Sequence, residues 1–268
     1  MTRTVRVGTS GWLYPPWRGT FYPKGLVHRR ELEYLSSTLN SVEINGTFYS
    51  LQKPDSFRRW ASETPDDFVF AVKGPRFVTH MKKLRDVDTP VANFLASGVL
   101  ALGPKLGPIL WQLPPTMRFD PDLLGPFLDS LPRTTAAAAD LARRHDQRLD
   151  GRDWLEIDED RPLRHAVEVR HPSFETAELV SLLRDQNVAL VLADAAHLYP
   201  VMDEQTADFM YCRLHGDEKL YVSGYSDESL DNWATTLRRH TGDIHVYFDN
   251  DVKVHAPFDA RGLLDRLS

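Results

Sequence analysis

Glu168 and Arg170 stand two residues apart in the stretch Ala166-Val167-Glu168-Val169-Arg170-His171-Pro172. On a strand that spacing puts a carboxylate and a guanidinium on one face, with Val167 and Val169 on the other. Charges are seldom buried without a partner, so the pair belongs either to a functional site or to a structural ion pair. The same pattern recurs along the chain. Glu43 and Asn45 alternate with Val42 and Ile44, and Lys73 ends the run from Phe68. Arg213 and His215 alternate with Cys212 and Leu214, and Asp249 follows Tyr247 at the same two-residue step, with Asn250 next to it. These residue types have defined chemical uses. Two carboxylates can transfer protons or drive hydrolysis, guanidiniums grip a carboxylate or phosphate in bidentate fashion, and a histidine serves as acid or base near neutral pH.

Positioning such groups requires a scaffold, and the hydrophobic pattern supplies one. Strand-like segments run over Val5–Gly8, Ser41–Asn45, Phe68–Lys73, Pro108–Leu113, Ala166–Arg170, Ala189–Asp194, Phe209–His215 and Ile244–Asp249, mostly with a helical pattern between neighbours. Expected helices include Arg29–Leu39, His80–Ser97, Thr134–Leu149, Leu230–His240 and Ala260–Leu267. Strands alternating with helices call for a parallel sheet, and eight units in 268 residues fit an α/β chain folded as a (β/α)8 TIM-like barrel. An open doubly wound sheet is the alternative. Gly8-Thr9-Ser10-Gly11 lacks the spacing of a dinucleotide-binding loop. Residues 1–268 are read as a single barrel domain. A polar helical insertion at about 134–164, between strands four and five, would serve as a flap or an oligomer contact.

In such a barrel the apolar face of each strand meets the helices, and the inward residues at the C-terminal strand ends build the site. Applied strand by strand, the rule yields Gly8 and Ser10, Glu43 and Asn45, Lys73, Gln112, Glu168 and Arg170, Asp194, Arg213 and His215, and Tyr247 and Asp249. Each has a plain structural use as well: Glu43 as an ion-pair partner, Lys73 as a counter-ion, Asp194 as a loop cap, His215 as a hydrogen-bonded core histidine. Collectively they describe one polar mouth. Trp12, Tyr14, Trp17 and Tyr49 could rim it as stacking surfaces or simply pack the first loop.

Two chemical routes follow. In the first, Glu43 and Glu168 handle protons, His215 assists, and Lys73, Arg170 and Arg213 hold an anionic substrate without a cofactor. In the second, the minority reading, Glu168, Asp194, His215 and Asp249 bind a divalent metal for an isomerase or phosphoesterase. The nearby cations compete for those carboxylates, and no His-Glu-x-x-His run is present. A binding protein without catalysis would use the same mouth.

Net charge is −6, so duplex nucleic acid, which attracts basic surfaces, is an unlikely partner. A small, anionic or sugar-like molecule is the expected ligand. The single cysteine, Cys212, excludes an intrachain disulfide, and its apolar setting reads as an inert core thiol. No run of eighteen apolar residues and no signal peptide is found, which points to the cytoplasm.

Several motifs together resemble the YecE-like family, also known as domain of unknown function 72. They are Gly8-Thr9-Ser10-Gly11-Trp12 with Tyr14, Trp17 and Phe21-Tyr22-Pro23; Val42-Glu43-Ile44-Asn45 with Thr47-Phe48-Tyr49; Phe70-Ala71-Val72-Lys73 with Thr79-His80; Gln112-Leu113-Pro114-Pro115; Glu168-Val169-Arg170-His171; Arg213-Leu214-His215-Gly216; and Tyr247-Phe248-Asp249-Asn250. The resemblance spans Val5 to about Ala260 and implies a TIM-like barrel with enzyme-like features. It supplies neither a reaction nor a cofactor, leaving hydrolase, lyase and isomerase open. Asp249 stands where the family usually has Asn, and Phe174 where Trp is common; the insertion is longer than in the simplest members.

Overall fold

Eight strands pair edge to edge in chain order and close into a parallel barrel: β1 (Val5–Ser10), β2 (Ser41–Ile44), β3 (Val69–Lys73), β4 (Leu106–Gln112), β5 (His165–Glu168), β6 (Ala189–Asp194), β7 (Phe209–Leu214) and β8 (Asp243–Phe248). The structure is a computed structural model that describes residues 3–268. Closure comes from β8 pairing back on β1, with Val7 opposite Val246 and Gly8 opposite Tyr247. The expected (β/α)8 architecture is thus the observed one. Among the described residues, no helix is long and apolar enough to cross a membrane.

Both faces of a parallel barrel strand are covered, and the two faces here differ in kind. Outward residues such as Val42, Ile44, Phe70, Val72, Trp111, Val167 and Val246 join the main core beneath the helices. The barrel interior holds a smaller cluster that includes Ala71, Leu110, Ala166, Ala189, Val191, Phe209, Tyr211 and Tyr247. Above it, toward the C-terminal strand ends, the inward residues become polar. Gly8 permits the tight seam between β1 and β2, because a Cβ there would lie 2.1 Å from the Ser41 carbonyl oxygen.

The outer layer contains α1 (Glu31–Ser36), α2 (Gly46–Tyr49), α3 (Pro54–Ser62), α4 (Asp88–Ala96), α5 (Pro121–Ser130), α6 (Thr135–Ala142), α7 (Ala177–Asp185), α8 (Asp227–Arg238) and α9 (Ala256–Leu267). Sequence chemistry accounts for several starts. Thr134, Thr176 and Ser226 cap α6, α7 and α8 by accepting a backbone N–H three residues on. Pro257 sits in the first turn of α9, which begins four residues earlier than expected.

The helix expected over His80–Ser97 is interrupted. Phe77–Met81 forms a wide turn, and Lys83, Leu84 and Asp86 adopt left-handed backbone before α4 begins at Asp88. Leu84 and Val87 are buried and mimic a helical apolar period, yet they reach the core from a loop. The helix expected over Thr134–Leu149 ends at Ala142, and the chain then turns again at Gln147–Leu149. This β4–β5 connection lies against α4: Asp146 N–H donates to Asn93 Oδ1 at 2.9 Å and Trp154 N–H to the Ala96 carbonyl at 2.8 Å.

Candidate active site

The polar mouth is organised on Arg213, which is fully buried near the end of β7. Its Nε and Nη2 donate to the two oxygens of Glu43 at 3.2 and 2.8 Å. Nη1 donates to Glu168 Oε2 at 2.8 Å, and Nη2 also reaches Asp249 Oδ2 at 3.1 Å and Ser10 Oγ at 3.0 Å. Every nitrogen of the guanidinium therefore has a partner from the protein itself.

Both glutamates are equally occupied. Glu43 accepts from Ser10 Oγ and from the Tyr211 hydroxyl, each at 2.6 Å. Glu168 accepts from Gln112 Nε2 at 2.8 Å and from Arg170 Nε and Nη2 at 2.9 and 2.8 Å. His215 lies between carboxylates, with Nδ1 3.1 Å from Asp249 Oδ2 and Nε2 3.5 Å from Glu168 Oε1. Gly216 follows with a φ of +122°, which turns the chain sharply away once the histidine is placed.

These contacts set the electrostatics. Burial drives the Glu168 carboxyl upward, but Arg170 and Arg213 outweigh it and hold the group well below the usual carboxylate range. Burial also opposes ionisation of Asp249, yet Arg213 and His215 pull it down to about 2. Burial opposes the charge on Arg213, and Glu43 and Glu168 overrule that opposition. The Tyr211 hydroxyl is pushed well up by burial and by the Glu43 charge.

A second set of groups at the mouth has unused hydrogen-bonding capacity. Lys73 ends β3, is 7% exposed, and has no carboxylate within 4.0 Å among the described residues. Its ammonium rests 4.2 Å over the Phe48 ring. Burial and then the nearby Arg213 charge lower its pKa to about 8. Arg170 stacks 4.7 Å from Tyr199 and leaves Nη1 unpaired among the described residues. Asn45 donates to the Ser10 carbonyl at 3.1 Å while its buried Oδ1 has no partner among them. Asp249 engages only Oδ2. Asp251, beyond β8, is raised to about 6 by burial and by Asp249.

The structure thus gathers Ser10, Glu43, Asn45, Lys73, Gln112, Glu168, Arg170, Arg213, His215 and Asp249 at the mouth, and separates Asp194, Asn250, Trp12, Trp17 and Tyr49 from them. Asp194 is not inward: Ala189, Val191 and Ala193 fill the interior face of β6, and Asp194 accepts from the Tyr225 hydroxyl at 2.9 Å. Asn250 points outward and donates to the Ser223 carbonyl and to Asp259 at 2.9 and 2.8 Å. Trp12 is buried edge-on against Trp60 at 5.3 Å, and Trp17 is buried among Tyr14, Phe21 and Tyr22. Tyr49 is 70% exposed and outside the network, so these side chains form no continuous stacking rim. Cys212 is buried, and burial pushes its thiol well up.

The four residues considered for a metal do not converge on one point. Asp194 is turned away, and the Arg213 guanidinium occupies the space between Glu168 and Asp249 where a cation would sit. Among the described residues no group of three or more His, Cys, Asp and Glu side chains is arranged to hold a metal ion.

The strand-parity rule selected neither Tyr211 nor His80, although the latter lies in one of the family motifs. Tyr211 shares the parity of Arg213 and His215, so extending the register one step deeper would have found it. His80 sits on a loop, where no strand parity exists. Burial and the neighbouring Arg170 and Lys73 charges lower it to about 4, so it is neutral near pH 7.

The profile of the family described as "Protein of unknown function DUF72" matches residues 6–268. The chain belongs to the DUF72 family. UPF0759 protein YecE of Escherichia coli is 37% identical to this DUF72 chain over 131 residues, 48% of the chain and 44% of YecE. The matched region therefore spans less than half the length of that curated relative. A DUF72 family protein from Thermotoga maritima superposes with a TM-score of 0.77 at 27% identity, covering 99% of both chains. One from Enterococcus faecalis superposes at 0.74 with 15% identity, covering 98% of this chain and 95% of that one. The second likeness is one of fold.

Proposed function

We propose that this DUF72 protein is an enzyme that binds a small anionic or sugar-like compound at the C-terminal barrel mouth. The single observation that carries the reading is the contrast around Lys73: a lysine only 7% exposed whose ammonium has no carboxylate partner among the described residues, beside a network in which each carboxylate is tied to an arginine. A buried, unpaired cation is costly, and such groups concentrate where a ligand completes them. Lys73 and Arg170 Nη1 supply donors for an anionic or carbonyl group. Asn45 Oδ1 and Asp249 Oδ1 supply acceptors for hydroxyls. A sugar-like compound carrying an acidic group or phosphate meets both requirements.

The proposal changes the division of labour expected from the sequence. Glu43 and Glu168 position Arg213 and His215, because their own lone pairs are occupied. Lys73, whose ammonium has no carboxylate partner among the described residues, is left as the reacting group. The buried lone thiol suits a reducing compartment, and the cytoplasm is the location this reading assigns.

A thermal-shift screen of sugar phosphates, sugar acids and neutral polyols tests the ligand class. Anionic sugars should raise the melting temperature of the wild type and leave Lys73→Met unmoved. If no member of the three classes shifts the wild type, the proposal fails. Turnover of a stabilising compound, followed by NMR and lost in Lys73→Met, would support an enzyme; binding without turnover would overturn catalysis.

A further inference from the structure

Two lysines, Lys73 and Lys105, are buried among the described residues, and they are held in opposite ways. Lys105 is 8% exposed, and its Nζ donates to the Ala61 carbonyl at 2.6 Å and to the carbonyl and hydroxyl of Thr64 at 2.7 and 3.3 Å. Three oxygens satisfy three N–H groups, as a structural ammonium requires. Lys73 is buried to the same degree, but its Nζ has no hydrogen-bond or ion-pair partner among the described residues and only the Phe48 ring beneath it. The local backbone is nevertheless fixed: Thr47 Oγ1 donates to the Lys73 carbonyl at 2.6 Å. Asn45, with its orphaned Oδ1, follows directly on β2, the strand that pairs with β3.

We propose that Lys73 captures a carbonyl group of the bound compound as an imine. The inference rests on the mouth being the small-molecule site and assigns that molecule to the hydroxy-aldehydes and hydroxy-ketones. The reaction is balanced without an oxidant or a reductant. The neutral amine attacks the carbonyl carbon, an N–C bond forms as the C=O π bond opens, and a proton passes from nitrogen to oxygen. The C–O bond of this carbinolamine then breaks. Its hydroxyl takes a proton from solvent and leaves as water, and the nitrogen lone pair closes a C=N bond that keeps one N–H. The cationic imine occupies the former place of the ammonium, over the Phe48 ring.

The desolvated setting favours the first step. With the amine lowered to about 8, roughly one Lys73 in ten is neutral at pH 7, against fewer than about one in a thousand for an exposed lysine. Asn45 Oδ1 and Asp249 Oδ1, which have no partner among the described residues, are the acceptors left for the compound's hydroxyls.

The test uses the full chain at pH 7 with glyceraldehyde and dihydroxyacetone as probes, sodium borohydride to reduce any imine, and peptide mass spectrometry to locate it. The exposed lysines Lys24 and Lys253 act as internal controls. Lys73 should be modified at least about tenfold faster than either, in line with its larger neutral fraction, and a sugar acid lacking a carbonyl should slow the modification by competition. Modification of Lys73 no faster than of Lys24 and Lys253 overturns the imine. If sugar acids still raise the melting temperature in that case, the binding reading survives. If they do not, both fail.

Discussion

The mouth has two layers that differ in how completely their polar groups are matched. In the lower layer, Arg213, Glu43, Glu168, Ser10, Gln112 and Tyr211 exchange hydrogen bonds with one another. In the upper layer, Lys73, the outer edge of Arg170, the buried Asn45 Oδ1 and Asp249 Oδ1 have capacity unused. A matched buried network stiffens and specifies a structure, whereas unmatched groups lower stability and await a ligand. The most strongly charged residues of the site are therefore tied to one another, and the unmatched hydrogen-bonding capacity belongs to the less conspicuous groups above them.

The comparison can be broken at its base. Arg213→Met should cost about 5 kcal/mol, because it leaves three carboxylates without their shared cation. Chemical denaturation measures it. Glu168→Gln keeps the shape and removes one charge, and should cost about 3 kcal/mol by the same assay. If either substitution were neutral, the lower layer would not be a scaffold.

The two buried lysines sharpen the contrast. Lys105→Met should lose about 1–3 kcal/mol, since it leaves the buried Thr64 carbonyl without its donor. Lys73→Met should instead gain about 1–3 kcal/mol at pH 7, because it removes a desolvated ammonium. Equal losses in the two variants would erase the distinction.

A smaller effect follows from pH. The folded pKa of Lys73, about 8, lies below the ordinary lysine value of 10.5, so between these values the unfolded chain binds the extra proton. Stability of the wild type should rise with pH across that window relative to Lys73→Met, and the advantage of the variant should fade by its upper end. Parallel denaturation curves from about pH 7 to the ordinary lysine value of 10.5 check the sign.

The lower layer was legible in the sequence because the outward faces of its strands are strongly apolar. Val42 and Ile44 leave no doubt about Glu43, and Cys212 and Leu214 fix Arg213. In β6 that logic had no grip. Its inward residues, Ala189, Val191 and Ala193, are as apolar as Leu190 and Leu192 on the other face, so the only polar residue, Asp194, drew the wrong assignment. Asn250 was misplaced by adjacency to Asp249, although a one-residue step changes the face. The aromatic loop was left with two readings for a different reason. Trp12 and Trp17 have the size to fill the outer core, and type alone cannot separate a packing ring from a ligand platform. What parity could not show was saturation. Arg213 looked like an anion ligand until its nitrogens proved to be occupied, and Lys73 looked like a counter-ion until no carboxylate was found beside it.

The most direct test of the division into scaffold and reactive layer is an NMR titration of the Lys73 side-chain nitrogen in lysine-labelled protein, assigned by comparison with Lys73→Met. The account predicts a midpoint near pH 8. A midpoint at or above the ordinary 10.5 would mean that Lys73 is paired or hydrated like any surface lysine, and would contradict it.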